Sequence, residues 1–282
     1  MISKMNTNLY HQFIEYALLE DMPYDDITTS NLITENSTDI AYIICKENCI
    51  LCGIDLVKEI FSRLDKTIEF EKLFKDGDKV QKDDKICKIY GNTRAILKGE
   101  RISLNLISYL TGIATQTSAY VDIISEYGVK LLDTRKTLPL YRSMVKYAVV
   151  TGGGSNHRFN LSDMIMIKDN HIKVIGGISE ALDNIKDLKN KYPFTKIEVE
   201  VKNIKEAMTA LKYSPDIIML DNFSVSDCSE AISYLKGKVE IEISGGINLS
   251  NISEYAKLKP DYISVGSITH SVKAIDFSLE ID

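Results

Sequence analysis

Residues 196–222, KIEVEVKNIKEAMTALKYSPDIIMLDN, decide how the second half of this 282-residue chain folds. KIEVEV and DIIMLD are apolar runs of strand length, and the segment between them reads as helical. Strand, helix and strand in succession make a βα unit with parallel strands. The rhythm continues in both directions through VKLLD (129–133), MIMIK (164–168), VEIEIS (239–244) and YISVG (262–266). About six strands are therefore expected in a parallel sheet curled as a TIM-like barrel, fewer than the eight of a complete (β/α)₈ barrel, with irregular closure.

The first hundred residues have a different texture. NLYHQFIEYALLE (8–20) places Leu9, Phe13, Tyr16 and Leu18 or Leu19 at helical spacing, and DLVKEIFSRLD (55–65) reads as a second short helix. The alternation and Asp-Gly break of FKDGDKVQKDDKICKIYG (74–91) predict a hairpin. GERISLNLISYLTGIATQTSAYVDIISEY (99–127) is a long helical stretch. The fold class expected is α/β: an N-terminal mixed, sandwich-like α/β domain over 1–105 and an incomplete barrel over 106–271. The tail at 272–282 is expected to return to the first domain.

Composition narrows the function. A net charge of −6 argues against a general nucleic-acid binder, which would show a basic face. No apolar run has the length of a membrane span, and the N-terminus lacks the apolar core of a signal peptide. A cytoplasmic protein is expected. The odd count of cysteines, Cys45, Cys49, Cys52, Cys87 and Cys228, fits reduced thiols. C-x3-C-x2-C at 45–52 is the spacing of cluster ligands in radical-SAM enzymes. Its Ile-rich surroundings instead read as two short strands with cysteines as small buried side chains.

Barrels place chemistry where strands end. Here the strand ends deliver Thr134, Arg135 and Lys136; Lys168, Asp169, Asn170 and His171; Glu200; Asp221 and Asn222; Ser244, Gly245 and Gly246; and Gly266 and Ser267. Arg135, Lys136, Arg158 and Lys168, with His157, form a cationic set suited to carboxylates or phosphates. SGG and VGS on the last two strands, with Val265 in the second, are glycine turns suited to phosphate. Glu200 and Asp221 are hard oxygen groups suited to Mg²⁺ and a ribose diol. Glu198, two residues before Glu200, reads as a core carboxylate paired with a base. A phosphorylated sugar beside an acid, with a divalent ion between them, points toward phosphoribosyl transfer.

DTRKT (133–137), KYAV (146–149), GGGSNHR (152–158), LSDMIMIKDNHI (161–172), EVEV (198–201), IIMLDN (217–222), SGGI (244–247) and DYISVGSITHSVKAIDFSLEI (261–281) closely resemble the quinolinate phosphoribosyltransferases. The resemblance extends upstream through ERISLNLISYLTGIATQT (100–117) and DMPYDDITT (21–29). It implies a transferase that moves the phosphoribosyl group of phosphoribosyl pyrophosphate to quinolinate with decarboxylation, using Mg²⁺ near Glu200 and Asp221, in NAD biosynthesis. Lys136, Lys168, Glu200 and Asp221 are then catalytic. Thr134, Arg135, His157 and Arg158 join the substrate pocket, while Ser244, Gly245, Gly246, Val265, Gly266 and Ser267 take phosphate. The resemblance further implies a barrel of seven strands and a homodimer in which Arg101 reaches the partner's site. TLPLYR (137–142) departs from the family's usual Thr-Thr-Pro-Gly-Leu-Arg, with Leu140 in place of the glycine. A relative associated with molybdenum transport, acting on another acidic or phosphorylated ligand, shares the TRKT motif and a glycine run and is the alternative.

Overall fold

The computed structural model describes residues 7–282, with side chains from Tyr10 onward. The first residues of the N-terminal reading and the side chain of Leu9 lie outside that range. Two compact units emerge: residues up to Ser118 with Thr137–Gly153 and Ser271–Asp282, and Ala119–Lys136 with Gly154–His270.

The first unit contains α1 (Thr7–Asp21), α2 (Ile27–Leu32), β1 (Thr38–Cys45), β2 (Cys49–Ile50), α3 (Ile54–Leu64), β3 (Glu69–Lys72), β4 (Lys79–Val80) and β5 (Lys85–Asn92). The long helix α4 (Thr93–Ile124) follows, as its apolar spacing predicts, and its last residues belong with the second unit. On α1 the buried residue is Ile14, and the expected Tyr16 and Leu19 are exposed. β1 is central, paired antiparallel with β5 and with the closing strand Phe277–Ile281, while β3 flanks β5. The hairpin expected at 74–91 is absent: β4 pairs with β2 instead. Asp76, in its turn, accepts hydrogen bonds from the main-chain N–H of Gly53 and Ile54 at 2.8 and 3.0 Å. It thereby caps α3 from a distance, satisfying donors that the helix leaves open. The Tyr147 hydroxyl donates to its other oxygen at 2.8 Å, and burial raises the Asp76 pKa. α3 in turn buries Ile54, Val57, Ile60 and Phe61, an i, i+3, i+6, i+7 stripe, of which Ile54, Val57 and Phe61 join a core with Ile43, Ile89 and Ile96.

All five cysteines are free and buried. Cys45 and Cys49 thiols lie 3.4 Å apart, and Cys52 donates no ligand to a shared centre with them. Burial raises the Cys52 pKa and pushes Cys87 and Cys228 up to about 12. The thiolate is the reactive form. The Cys49 thiol lowers the Cys45 pKa, but Cys45 is fully buried, so a thiol reagent near neutral pH is expected to react slowly with the native protein and to find five thiols after unfolding.

The second unit holds β6 (Lys130–Leu132), β7 (Ile165–Ile167), β8 (Ile197–Val201), β9 (Ile217–Asp221), β10 (Glu240–Ser244) and β11 (Tyr262–Ser264). These are the six expected strands, all parallel, in the order β6-β11-β10-β9-β8-β7. In β9, Ile217 through Leu220 are buried without interruption, as a sheet covered on both faces requires. α5 (Arg142–Thr151) lies in the first unit; α6 (Asp169–Ile175), α7 (Ile178–Leu182), α8 (Ile185–Lys191), α9 (Ile204–Leu211), α10 (Val225–Leu235), α11 (Ile252–Ala256) and α12 (Ser267–His270) accompany the strands. Asn203 and Ser224 cap α9 and α10, accepting from the N–H of Glu206 and Asp227.

The sheet remains open between β6 and β7. Ser155 makes a single parallel bridge to Leu132, and the six-stranded sheet has one strand fewer than the resemblance implies. From there the chain runs to β7, so residues 155–164 connect the two edges of the sheet. His157 and Arg158 lie on this connecting segment.

Candidate active site

Strand register places the candidate groups at one end of the sheet. Ser244 pairs with Asp221 across β10 and β9, and Glu200 pairs with Met219 across β8 and β9. Lys168 follows the last residue of β7, and its Nζ lies 3.1 Å from Glu200 Oε2. His171, delivered at the same strand end, turns back: its Nδ1 accepts from the Lys168 main-chain N–H at 3.1 Å. It thereby holds the start of α6.

The Ser244–Gly246 turn is fixed by Asn222. This residue adopts a left-handed φ of 57°, donates its N–H to Ser244 O at 2.8 Å and donates Nδ2 to Asp221 Oδ2 at 2.9 Å. Gly245 has φ 93°, and a Cβ there would overlap Asn222 Oδ1 and lie 2.8 Å from Asn222 N. Strain and overlap together give an expected loss of about 3 kcal/mol for Gly245→Ala. Thermal unfolding of that variant, beside Gly246→Ala with open space at its Cβ, checks this.

The glycine run before the connecting segment serves packing. A Cβ at Gly152 would overlap the Ala114 carbonyl oxygen of α4, so the close approach is to protein backbone. Beyond it, Asp133, fully buried, accepts the His157 N–H at 2.9 Å. His157 Nδ1 accepts the Arg158 N–H at 2.7 Å, and Arg158 Nη1 donates to Met164 O at 3.0 Å. Desolvation and the neighbouring Arg135 lower the Arg158 pKa, while Glu198 opposes that shift. Arg135 Nε is buried without a hydrogen-bond partner. Lys136 donates its N–H to Thr134 Oγ1 at 3.1 Å, and Thr269 Oγ1 donates to Lys136 O at 2.9 Å. That bond ties α12 to the Thr134–Lys136 turn. Gly266 lies in the same place: a Cβ there would come within 3.1 Å of His270 and 3.4 Å of Lys136 Cδ. Val265 is buried and donates its N–H to Leu132 O, and Ser267 Oγ lies 3.3 Å from Tyr120 OH.

Beneath these groups sit two carboxylates that a barrel interior ordinarily lacks. Glu198 on β8 and Glu242 on β10 are fully buried, and their oxygens lie 3.0 and 3.5 Å from His157 Nε2. Glu198 thus meets a base, as its sequence position predicts. Glu242 was not singled out by sequence, although it stands two residues before Ser244 as Glu198 stands two before Glu200. Among the described residues this is the one converging set of three possible metal-ligating groups.

The strand-end candidates from Thr134 to Ser267 all lie in the second unit. Arg101 is the exception in kind: it lies on α4 in the other unit, with its side chain 65% exposed and Glu100 3.9 Å away. The TLPLYR departure also falls in the first unit. Leu140 keeps a left-handed φ of 68° where the resembled family has glycine, a strain of roughly 1–2 kcal/mol. Tyr141 packs edge-on against Phe13 and Tyr109, with ring centroids at 4.7 and 5.8 Å.

Residues 26–111 match the quinolinate phosphoribosyl transferase N-terminal domain, and residues 113–280 match the C-terminal domain of the same family. A probable nicotinate-nucleotide pyrophosphorylase [carboxylating] of Methanocaldococcus jannaschii is 43% identical over 280 residues, covering 96% of each chain. A Bacillus subtilis protein with the same description is 37% identical, covering 98% of this chain and 95% of its own. The solved nicotinate-nucleotide pyrophosphorylase of Francisella tularensis superimposes with a TM-score of 0.94 at 42% identity, over 100% of this chain and 99% of its own. With both domain types matched in order and relatives aligned end to end, this chain belongs to the quinolinate phosphoribosyl transferase family.

Proposed function

We infer that this chain transfers the 5-phosphoribosyl group of phosphoribosyl pyrophosphate to the ring nitrogen of quinolinate, with loss of CO₂, giving nicotinate mononucleotide and pyrophosphate in NAD biosynthesis. The observation that carries the reading is the meeting at one sheet end of cations and acids: Arg135, with a buried unpartnered Nε, Arg158 and Lys168 beside Glu200 and Asp221.

Arg135, Arg158 and Lys168 hold the two ring carboxylates, the arginines as bidentate forks, and orient the ring nitrogen toward C1 of the ribose. His157 supports this group by holding the Arg158 main chain. Lys136, with Thr134 beneath it, reaches pyrophosphate or ring oxygens, and the turns at Ser244–Gly246 and Val265–Ser267 offer main-chain N–H groups to phosphate. Glu200 and Asp221 stabilise positive charge as the C1–pyrophosphate bond lengthens. The nitrogen lone pair then forms the new C1–N bond and pyrophosphate departs with the bonding pair. Quaternised nitrogen lets the C2–carboxylate bond break, leaving its electron pair on C2, which then takes a proton.

Glu200 and Asp221 supply two carboxylates without a third protein ligand, a donor set that fits Mg²⁺, which keeps waters and substrate oxygens in its shell. Mg²⁺ bound there would neutralise charge on the departing pyrophosphate. Five free cysteines support a reducing compartment, and the cytoplasm is the proposed location.

The test is incubation with quinolinate, phosphoribosyl pyrophosphate and Mg²⁺, with nicotinate as the comparison substrate. Nicotinate mononucleotide from quinolinate alone supports the reading. No product from either moves the assignment to another acidic or phosphorylated ligand, as for the relative associated with molybdenum transport.

A homodimer with Arg101 donated across the interface completes the proposal. Its support is the exposure of Arg101 and of a run of apolar side chains near the N-terminus, Tyr24 at 98% and Ile27 and Leu32 beside it. Mixing inactive Arg101→Ala and Lys168→Ala subunits is expected to restore about a quarter of wild-type activity, because half the dimers then carry one intact site of two. No recovery after subunit exchange would contradict the shared site.

A further inference from the structure

We propose that Glu198 and Glu242 are positioning residues for quinolinate recognition, which hold the His157 ring by Nε2 so that its Nδ1 fixes the main chain of Arg158. The proposal rests on the function inferred above and assigns work to two side chains that the reaction does not touch.

The buried chain of contacts has a direction. Ser264 Oγ on β11 donates to Glu242 Oε1 at 2.5 Å. Glu242 Oε2 and Glu198 Oε2 both face His157 Nε2, and these three groups lie within 4.8 Å of one another. At the other end of the ring, Nδ1 accepts the Arg158 N–H at 2.7 Å. An accepting Nδ1 carries no proton, so the ring proton belongs on Nε2, where it meets the carboxylates. Both ring nitrogens are thereby committed to protein groups. His157 is read as a scaffold for Arg158 instead of a direct ligand of a carboxylate.

Polar groups at zero exposure in a barrel interior need a reason. Glu198 Oε1 and Oε2 and Glu242 Oε2 are buried without a well-aligned hydrogen-bond partner. Burial, and then the charge of Glu198, hold the Glu242 pKa well above the usual carboxylate range. Glu198 also opposes the lowering of the Arg158 pKa. Arg158 is then held at two points, its N–H by His157 and its Nη1 by Met164 O. Among the described residues, Nε and Nη2 remain for a ligand. A bidentate fork tolerates little displacement, so the anchoring of its main chain bears directly on affinity.

The experiment combines imidazole ¹⁵N spectra with kinetics, using Glu198→Gln and Glu242→Gln and assigning the His157 signals by difference with His157→Gln. In the wild type, the expected spectrum is that of a neutral ring with Nε2–H and a hydrogen-bonded Nδ1. In each glutamine variant the His157 signals shift or broaden. KM for quinolinate rises about tenfold or more, while KM for phosphoribosyl pyrophosphate stays near the wild-type value. A wild-type His157 that is an imidazolium, or carries its proton on Nδ1, overturns the proposal whether or not the variants fold. So do folded variants with unchanged His157 signals and unchanged KM. One equivalent of a divalent metal released from wild type and absent from Glu198→Gln would make the three groups ligands and also overturn it. Failure of the wild type to use quinolinate would refute the function, whereas the ¹⁵N spectrum reads the His157 tautomer independently of turnover.

Discussion

Arg135→Ala is expected to lower kcat/KM for quinolinate about a thousandfold, a loss near 4 kcal/mol of transition-state stabilisation. The guanidinium stands in a cationic cluster with Arg158, and its Nε is buried without a hydrogen-bond partner among the described residues. Such a donor is costly to leave unpaired and gains most when a carboxylate arrives. A bidentate charge-assisted pair in a water-poor site is worth several kcal/mol, and alanine removes both the fork and its orientation of the ring. Steady-state kinetics should show KM for quinolinate rising and kcat falling together. Arg135→Lys should recover only part of the loss, because an ammonium group cannot reproduce the planar fork. A variant with near-normal kcat/KM would remove Arg135 from the substrate pocket.

Glu200→Gln separates binding from chemistry. Glu200 keeps only 11% of its side chain exposed and forms an ion pair with Lys168 at 3.1 Å. Neutralising it removes negative charge facing the developing positive charge on the ribose, an effect expected to lower kcat about a hundredfold. Lys168 is simultaneously released from its ion pair. KM for quinolinate should therefore stay level or fall, the opposite of its change in Arg135→Ala. A rise in quinolinate KM with unchanged kcat would instead place Glu200 in ground-state binding.

The barrel was legible because parallel strands buried on both faces read as uninterrupted apolar runs. Ile217–Leu220 in β9 is the clearest case. The N-terminal hairpin was misread for an equally physical reason. The Asp76–Gly77 turn has the local signature of a hairpin, yet Asp76 is committed to capping α3, and β4 pairs with the distant β2. Local turn chemistry carries no information about such non-local pairing. Lys168, Glu200, Asp221 and Ser244 could be placed at strand ends from the apolar runs that precede them. Glu242 was not singled out, since a carboxylate alternating with isoleucines in β10 has the pattern of a solvent-facing residue. It meets His157, which comes from the segment that joins the two edges of the sheet. His171 shows the converse: a histidine in a motif of charged residues that serves only the start of a helix. Leu140 shows that a missing glycine does not abolish the left-handed backbone it would favour.

The most direct measurement follows quinolinate labelled separately in its C2 and C3 carboxyl groups, with and without phosphoribosyl pyrophosphate. Phosphoribosyl transfer that triggers decarboxylation predicts release of the C2 label as CO₂, one equivalent per nicotinate mononucleotide, only when phosphoribosyl pyrophosphate is present. The C3 label should remain in the product. CO₂ released without phosphoribosyl pyrophosphate, or retention of both labels in the product, would contradict the account.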